Sequence, residues 1–225
     1  MTETEWLECD DPSKMLEFLR GKGSERKLRL FAAACTRCFW DHLVMEPSRR
    51  AVEVAEQFAD GMSDLSTLKD ARDAAVVVPR QLAGTKMNYP ASAFAAAECA
   101  REEAWETATG ASSGILDAAL PLVAHAPDGQ VLEAVDLFRQ IQTRLLRDIF
   151  GNPFQPVSFD TEWHTSTAVL LAKQMYESRD FSTMPILADA LQDAGCDNAD
   201  ILNHCRRPWG HTRGCWVVDL VLEKV

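Results

Sequence analysis

The sequence predicts an all-α fold, a compact bundle of about nine to eleven short and medium helices. Three observations lead to this prediction. The 225 residues include 30 alanines, against 11 glycines and 10 prolines, and alanine is the best helix former. Apolar residues in the longer segments recur at the spacing of one helix face. Capping residues, glycines and prolines stand where these segments begin and end.

These signals delimit the elements of the first 150 residues. Ser24 is a typical N-cap, and the helix that it opens collects apolar residues on one face. The clearest amphipathic segment is 131–149, whose apolar stripe includes Val135, Phe138 and Ile141. Glycine, asparagine, serine and proline indicate loops at 81–90 and 111–114. The predicted helices cover residues 4–9, 12–20, 24–44, 48–60, 63–78, 90–109, 115–124 and 131–149.

The last 70 residues predict three or four shorter helices, with candidates at 165–178, 183–194, 198–206 and 214–223. The last of these is ambiguous because its valines are typical of a buried strand. We favour a helix, since nothing nearby offers a partner strand. Gly151, Pro153 and Pro156 begin an extended loop, so a sub-boundary is possible near 151–160. Three or four short helices make a small core, and we therefore predict a single domain over residues 1–225.

Composition limits the classes of partner and the compartment. The chain has 23 basic and 34 acidic residues, a net charge of −11, which opposes binding to nucleic acid or anionic lipid. The acidic, polar start has no signal-peptide pattern, and no apolar run approaches the roughly 18 residues of a membrane span. Seven cysteines are an odd number, which favours reduced thiols. We therefore predict a cytoplasmic protein without a membrane partner.

Three segments carry a family resemblance. They are MLEFLRGK and RKLRLFA within 15–32, LLRDIFGNPF at 145–154, and GCWVVDLVL at 214–222. In these segments the chain resembles an uncharacterised bacterial family that recurs in many copies per genome, whose closing segment has Leu where this chain has Val221. The stretch 187–195 is also similar to a segment of repeat-companion proteins, with Ala190 at the usual Trp. Neither resemblance implies an activity, a cofactor or a site residue.

A basic, aromatic face on the helix at 24–44 leads to the first functional hypothesis. Trp and Arg on one exposed face are enriched at protein interfaces. We therefore predict a protein-interaction module, with an unidentified protein partner bound by this face or by the loop 206–214. An alternative stays open, in which the acidic helix 48–60 covers the face and the ion pairs are intramolecular. The predicted contact residues are Lys22, Arg26, Arg29, Arg37 and Trp40.

The C-terminal segment leads to the second hypothesis, an enzyme or small-ligand-binding protein. A reactive thiol needs an electropositive, partly exposed setting, which nearby arginines could supply. The alternative is a polar loop whose arginines pair with upstream aspartates, and Asp219 then serves as a structural anchor. The predicted ligand-binding residues are His204, Cys205, Arg207, His211, Arg213 and Asp219.

A structural zinc site is the third and weaker hypothesis. Zinc commonly takes four N or S ligands, with one pair two to four residues apart. Cys35, Cys38 and His42 share a helix face, but the same face carries core residues. The tail adds Cys196, His204, Cys205, His211 and Cys215, at spacings that fit no standard finger. The P-loop and Glu-x-x-His patterns are absent. We therefore predict no catalytic residue, no cofactor and no bound metal.

Overall fold

The computed structural model describes residues 1–78, 90–119 and 128–224, and these residues form α-helices and no β-strand. The all-α prediction is confirmed. None of the described helices is long and apolar enough to cross a membrane. The helices are α1 (Glu3–Glu8), α2 (Pro12–Leu19), α3 (Glu25–Arg37), α4 (Glu46–Ala59), α5 (Leu65–Val76), α6 (Pro90–Cys99), α7 (Ala104–Ala119), α8 (Asp128–Phe150), α9 (Ser166–Ser178), α10 (Met184–Asp193), α11 (Ala199–Cys205) and α12 (Trp216–Val221).

The chain divides into two compact units, Met1–Leu146 and Arg147–Val225. The division falls within α8, four residues before that helix ends. The predicted sub-boundary at 151–160 lies slightly later in the chain. That residues 1–225 form a single domain stays a prediction.

The N-terminal unit has an alanine-rich core contributed by α3 to α7. Its tightest packing is between α6 and α7, where a Cβ added to Gly114 would lie 3.0 Å from Ala95 Cβ. The loop predicted at 111–114 is therefore wrong. Gly110 and Gly114 lie inside α7 because a residue without a side chain lets the two helices approach closely.

Two other helix boundaries in this unit differ from the prediction. The helix expected to reach residue 44 ends at Arg37 and is followed by a 3₁₀ turn, Trp40–His42. The helix expected over 90–109 is broken between Cys99 and Ala104. Arg29 donates hydrogen bonds to the carbonyl oxygens of Arg101 and Glu102 at this break. Apart from Pro90, the loop predicted at 81–90 lies outside the described residues, as do residues 120–124 of the predicted helix 115–124.

The C-terminal unit packs α9 to α12 around a second core. The buried residues of this core include Ala172, Met175, Leu187, Ile201 and Val218. Side chains cap two of these helices: the Thr165 hydroxyl accepts from the Ala168 amide, and the Asn198 side chain accepts from two amides of α11. The ambiguous tail is helical as predicted. These short helices bring four polar side chains together inside the unit.

Candidate metal centre

The predicted basic face is engaged within the N-terminal unit. Arg26 Nε lies 3.0 Å from Asp60 Oδ1, and Arg37 contacts the Glu56 carboxylate at 2.5 and 2.9 Å. Arg29 is 3% exposed because its guanidinium enters the break between α6 and α7. Acidic groups of α4 and its C-cap thus cover the face, as the open alternative described. The expectation that these arginines form an exposed docking face is corrected accordingly.

The remaining two residues of that face have separate surroundings. Trp40 is partly buried, with the Arg37 guanidinium 4.3 Å and the Arg49 guanidinium 5.3 Å from its ring centre. Lys22 is exposed, and its Nζ lies 3.9 Å from the centre of the Phe18 ring. These contacts are cation–π interactions between basic and aromatic side chains of the same unit.

Among the described residues, the N-terminal thiols are not part of a converging group of potential metal ligands. Cys35 is buried in the core, and burial raises its pKa well above the ordinary value. The Sγ atom of Cys38 lies 3.5 Å from the Ala34 carbonyl oxygen of its own helix. Within residues 1–78, 90–119 and 128–224, one group of three or more potential ligands converges, and it includes neither of these cysteines.

The converging group is in the C-terminal unit and consists of Asp148, His204, His211 and Cys215. One donor atom from each residue lies within 4.8 Å of the other three. Asp148 Oδ1 is 3.1 Å from His204 Nε2 and 2.6 Å from His211 Nδ1. Cys215 Sγ is 3.1 Å from His204 Nε2 and 3.7 Å from His211 Nδ1. Each of the four side chains is at most 4% exposed, so the cluster is closed to solvent.

Four separate segments supply the donors. Asp148 is in the last turn of α8, His204 is on α11, His211 is in the following loop, and Cys215 is the residue before α12. Gly214, directly before Cys215, has a φ of +87°, a conformation that favours glycine. The backbone therefore turns sharply directly before Cys215, and this turn places the Cys215 thiol beside the other three donors.

Gly151 brings the end of α8 close to α12. It has a φ of +65°, and a Cβ at this position would lie 3.2 Å from Cγ of Trp216. A left-handed conformation and a close indole both favour glycine here. This glycine follows Asp148 by three residues, so it ends the helix just after the carboxylate has been placed.

Neighbouring groups orient the donors. The Thr212 amide donates to Asp148 Oδ2 at 3.0 Å, which leaves Oδ1 facing the two imidazoles. The Trp216 indole N–H donates to His204 Nδ1 at 3.0 Å. The His204 and His211 rings meet edge to face, with centres 4.9 Å apart. His211 Nε2 is buried and has no hydrogen-bond partner among the described residues.

The electrostatics of the cluster set the charge of three donors. Burial alone would raise the pKa of Asp148, but hydrogen bonds from His204 and His211 outweigh it and lower this pKa to about 2. Burial lowers the pKa of His204 despite the nearby carboxylate. Burial, together with the Asp148 charge, raises the pKa of Cys215 well above its ordinary value. A buried neutral thiol without a cation beside it is a poor nucleophile, so the arrangement is unsuited to cysteine catalysis.

The structure brings together part of the predicted ligand-binding set. His204 and His211 are in the cluster. Cys205 is a buried core residue, and burial with the Asp148 charge raises its pKa to about 12. Arg207 packs over Trp209, and Arg213 donates to the Tyr176 carbonyl oxygen.

Asp219 is buried on α12 and is not one of the converging donors. The second hypothesis placed Asp219 in a ligand-binding site with the histidines, the cysteine and the arginines of the C-terminal segment. Three tail residues of the zinc hypothesis, His204, His211 and Cys215, are in the converging group, Cys196 and Cys205 are not, and Asp148 is the donor that the structure adds.

Asp148 was missed by the sequence reasoning, although a signal was present. It follows Ile141 by seven residues and Leu145 by three, which places it on the apolar stripe of α8. An acid on an apolar helix face is buried only at a cost, unless it has a partner.

Comparison with known proteins adds no family to this geometry. No family model, curated protein or solved structure matches the chain. The resemblance to a multi-copy bacterial family stays a prediction.

Proposed function

We propose that the C-terminal unit binds a zinc ion as a structural element of its fold. The ligands are Asp148 Oδ1, His204 Nε2, His211 Nδ1 and Cys215 Sγ. The observation that carries this proposal is the convergence of these four donors within 4.8 Å. In a tetrahedral zinc site with ordinary bond lengths, neighbouring donors lie about 3.3–3.6 Å apart. The separations of 3.1, 3.1 and 3.7 Å are close to this value, and the 2.6 Å pair lengthens when the ion enters.

The charge and chemistry of the donors favour zinc. Zinc binding releases the proton of the Cys215 thiol to solvent. The resulting thiolate and the Asp148 carboxylate carry two negative charges, so a divalent cation makes the buried site neutral. This neutrality matters because an uncompensated charge is costly in a buried position. Imidazole and thiolate ligands in a tetrahedral arrangement are typical of zinc, whereas magnesium and calcium prefer oxygen ligands.

The site has the features of a structural rather than a catalytic centre. Structural zinc has four protein ligands, while catalytic zinc has three and keeps a position for water or substrate. Here the four side chains are nearly inaccessible to solvent. The ion would join the end of α8 to α11 and α12, and its binding energy would contribute to the stability of the unit.

Metal analysis of the purified full chain tests the proposal. We expect about one zinc ion per chain after reconstitution and removal of excess metal. Cys215→Ser should lower the affinity by more than the roughly 10–100-fold cost of losing an outer-shell partner. Cys205→Ala is the matched control, because this buried thiol lies beside His204 in sequence but is not one of the four donors. A wild-type chain that folds and takes up no zinc contradicts the proposal, as does equal binding by Cys215→Ser.

Protein interaction is a second candidate function, favoured by one exposed segment. Residues 206–210 are all exposed, and Trp209 is 43% exposed beside the Arg207 guanidinium. Exposed Trp and Arg are enriched at interfaces. We expect Trp209→Ser to remove a specific partner in quantitative affinity capture. Leu170→Ser is the control, since Leu170 is an apolar residue of the same unit that is 66% exposed. Equal loss with both variants, or with neither, contradicts this function.

A further inference from the structure

Trp216 has an unusual relation to one of the four donors. Its indole N–H points at His204 Nδ1, with the two nitrogens 3.0 Å apart. An indole nitrogen can donate a hydrogen bond but cannot accept one. His204 Nδ1 therefore accepts, and in a neutral imidazole the ring hydrogen is then on Nε2. His204 Nε2 lies 3.1 Å from both Asp148 Oδ1 and Cys215 Sγ, and each of these two atoms can accept a hydrogen bond from it.

Zinc requires the opposite arrangement at His204. To bind the ion, Nε2 must present its lone pair, and the ring hydrogen is then on Nδ1. In most metal sites this outer N–H donates to a carboxylate, a carbonyl or water. Here it would face the indole N–H of Trp216, and two donors cannot form a hydrogen bond with each other. The outer partner of His204 is thus suited to the metal-free state.

The position of the indole is constrained by its packing. Trp216 is partly buried, its ring centre lies 5.0 Å from that of His204, and its Cγ is close to Gly151. It is also the first residue of α12, next to Cys215. The indole therefore cannot leave Nδ1 without a local rearrangement beside the thiol donor.

We propose that Trp216 competes with zinc for His204, so that the site alternates between a hydrogen-bonded metal-free state and a metal-bound state in which the indole is displaced. This inference rests on the proposed zinc site. It implies that Trp216 lowers the affinity of that site for zinc. Trp216 is a positioning residue in this scheme, since it acts on the ion through His204. Binding of the ion is then reversible, because the metal-free cluster keeps most of its hydrogen bonds.

The test is the zinc affinity of Trp216→Phe, measured by competition with a chromogenic chelator. We expect zinc to bind about fivefold more tightly than in the wild type, which corresponds to the net worth of the hydrogen bond that no longer competes. Trp163→Phe is the matched control, because Trp163 packs on the core of the same unit and is not one of the cluster's contacts. Its affinity should equal that of the wild type.

The possible outcomes separate the two proposals. If the wild type binds zinc and Trp216→Phe binds with equal or lower affinity, the role of Trp216 is overturned and the zinc site stands. If the wild type binds no zinc, the proposed site itself fails. Where Trp216→Phe does not fold, the indole N–H resonance of Trp216 in the wild type decides, assigned from its proximity to His204. Zinc should shift this resonance as the hydrogen bond is lost, and an unmoved resonance overturns the inference.

Discussion

Each unit buries an acidic side chain, but the two acids have different kinds of partner. In the N-terminal unit Glu56 is 2% exposed and pairs with the Arg37 guanidinium, so the chain supplies its own cation. In the C-terminal unit Asp148 is 4% exposed, and its partners among the described residues are two imidazoles and the Thr212 amide. An arginine of the same unit completes the first site, whereas the second carboxylate lies among two imidazoles and a thiol, the arrangement from which we propose a zinc site.

The largest expected effect is on the Arg37–Glu56 ion pair of the N-terminal unit. Arg37→Met leaves the Glu56 carboxylate buried without its cation, which should lower the free energy of unfolding by about 3 kcal/mol. Urea denaturation measures this change. The double variant Arg37→Met/Glu56→Met should recover much of the loss, because a buried ion pair can often be replaced by apolar side chains.

Zinc provides the control for that comparison. The deficit of Arg37→Met should be the same with and without zinc, since neither residue belongs to the converging group of donors. A deficit that zinc removes would mean that the two sites are not independent.

The next effect is on the proposed zinc site of the C-terminal unit. Zinc at about 100 times its Kd should stabilise the wild-type chain by about 2.7 kcal/mol, by mass action on the folded state. Asp148→Asn keeps the size of the side chain but removes one ligand charge, and we expect most of this stabilisation to disappear. Thermal unfolding with zinc and with a chelator measures it. Equal stabilisation of Asp148→Asn and wild type would show that the metal acts elsewhere.

The fold was predictable where local signals decide it. Ser24 is the predicted N-cap, its side chain accepts from the Lys27 amide at 3.2 Å, and α3 begins directly after it. Gly110 and Gly114 misled the prediction because tertiary packing against α6 overrides the low helix propensity of glycine. A single sequence does not show which helices approach closely enough to need a residue without a side chain.

Three of the four donors of the candidate site were named from the sequence, because His204, His211 and Cys215 are potential metal ligands in one segment. Their partner Asp148 is on a helix more than fifty residues earlier in the sequence. Its position on an apolar stripe was the available signal. Which imidazole nitrogen meets the carboxylate, and that Trp216 meets the other, depends on side-chain packing that periodicity does not determine.

The smallest expected effect tests whether helix α11 positions the metal site. The Asn198 side chain accepts from the Asp200 amide at 3.0 Å and the Ile201 amide at 3.1 Å, and His204 is on the same helix. Asn198→Ala should cost about 1 kcal/mol of unfolding free energy, the usual value for a lost N-cap. It should also weaken zinc binding by a few-fold, because fraying of α11 displaces a ligand.

Thr165→Ala is the matched control for that variant. Thr165 caps α9, which carries none of the four donors, so the variant should lose similar stability and bind zinc as the wild type does. Zinc titration by calorimetry, together with urea denaturation, measures both quantities for each variant. Equal zinc affinity in the two variants would mean that α11 holds His204 without help from its cap. In that case the core residue Ile201, which is fully buried on the same helix, would be the group that fixes the imidazole in place.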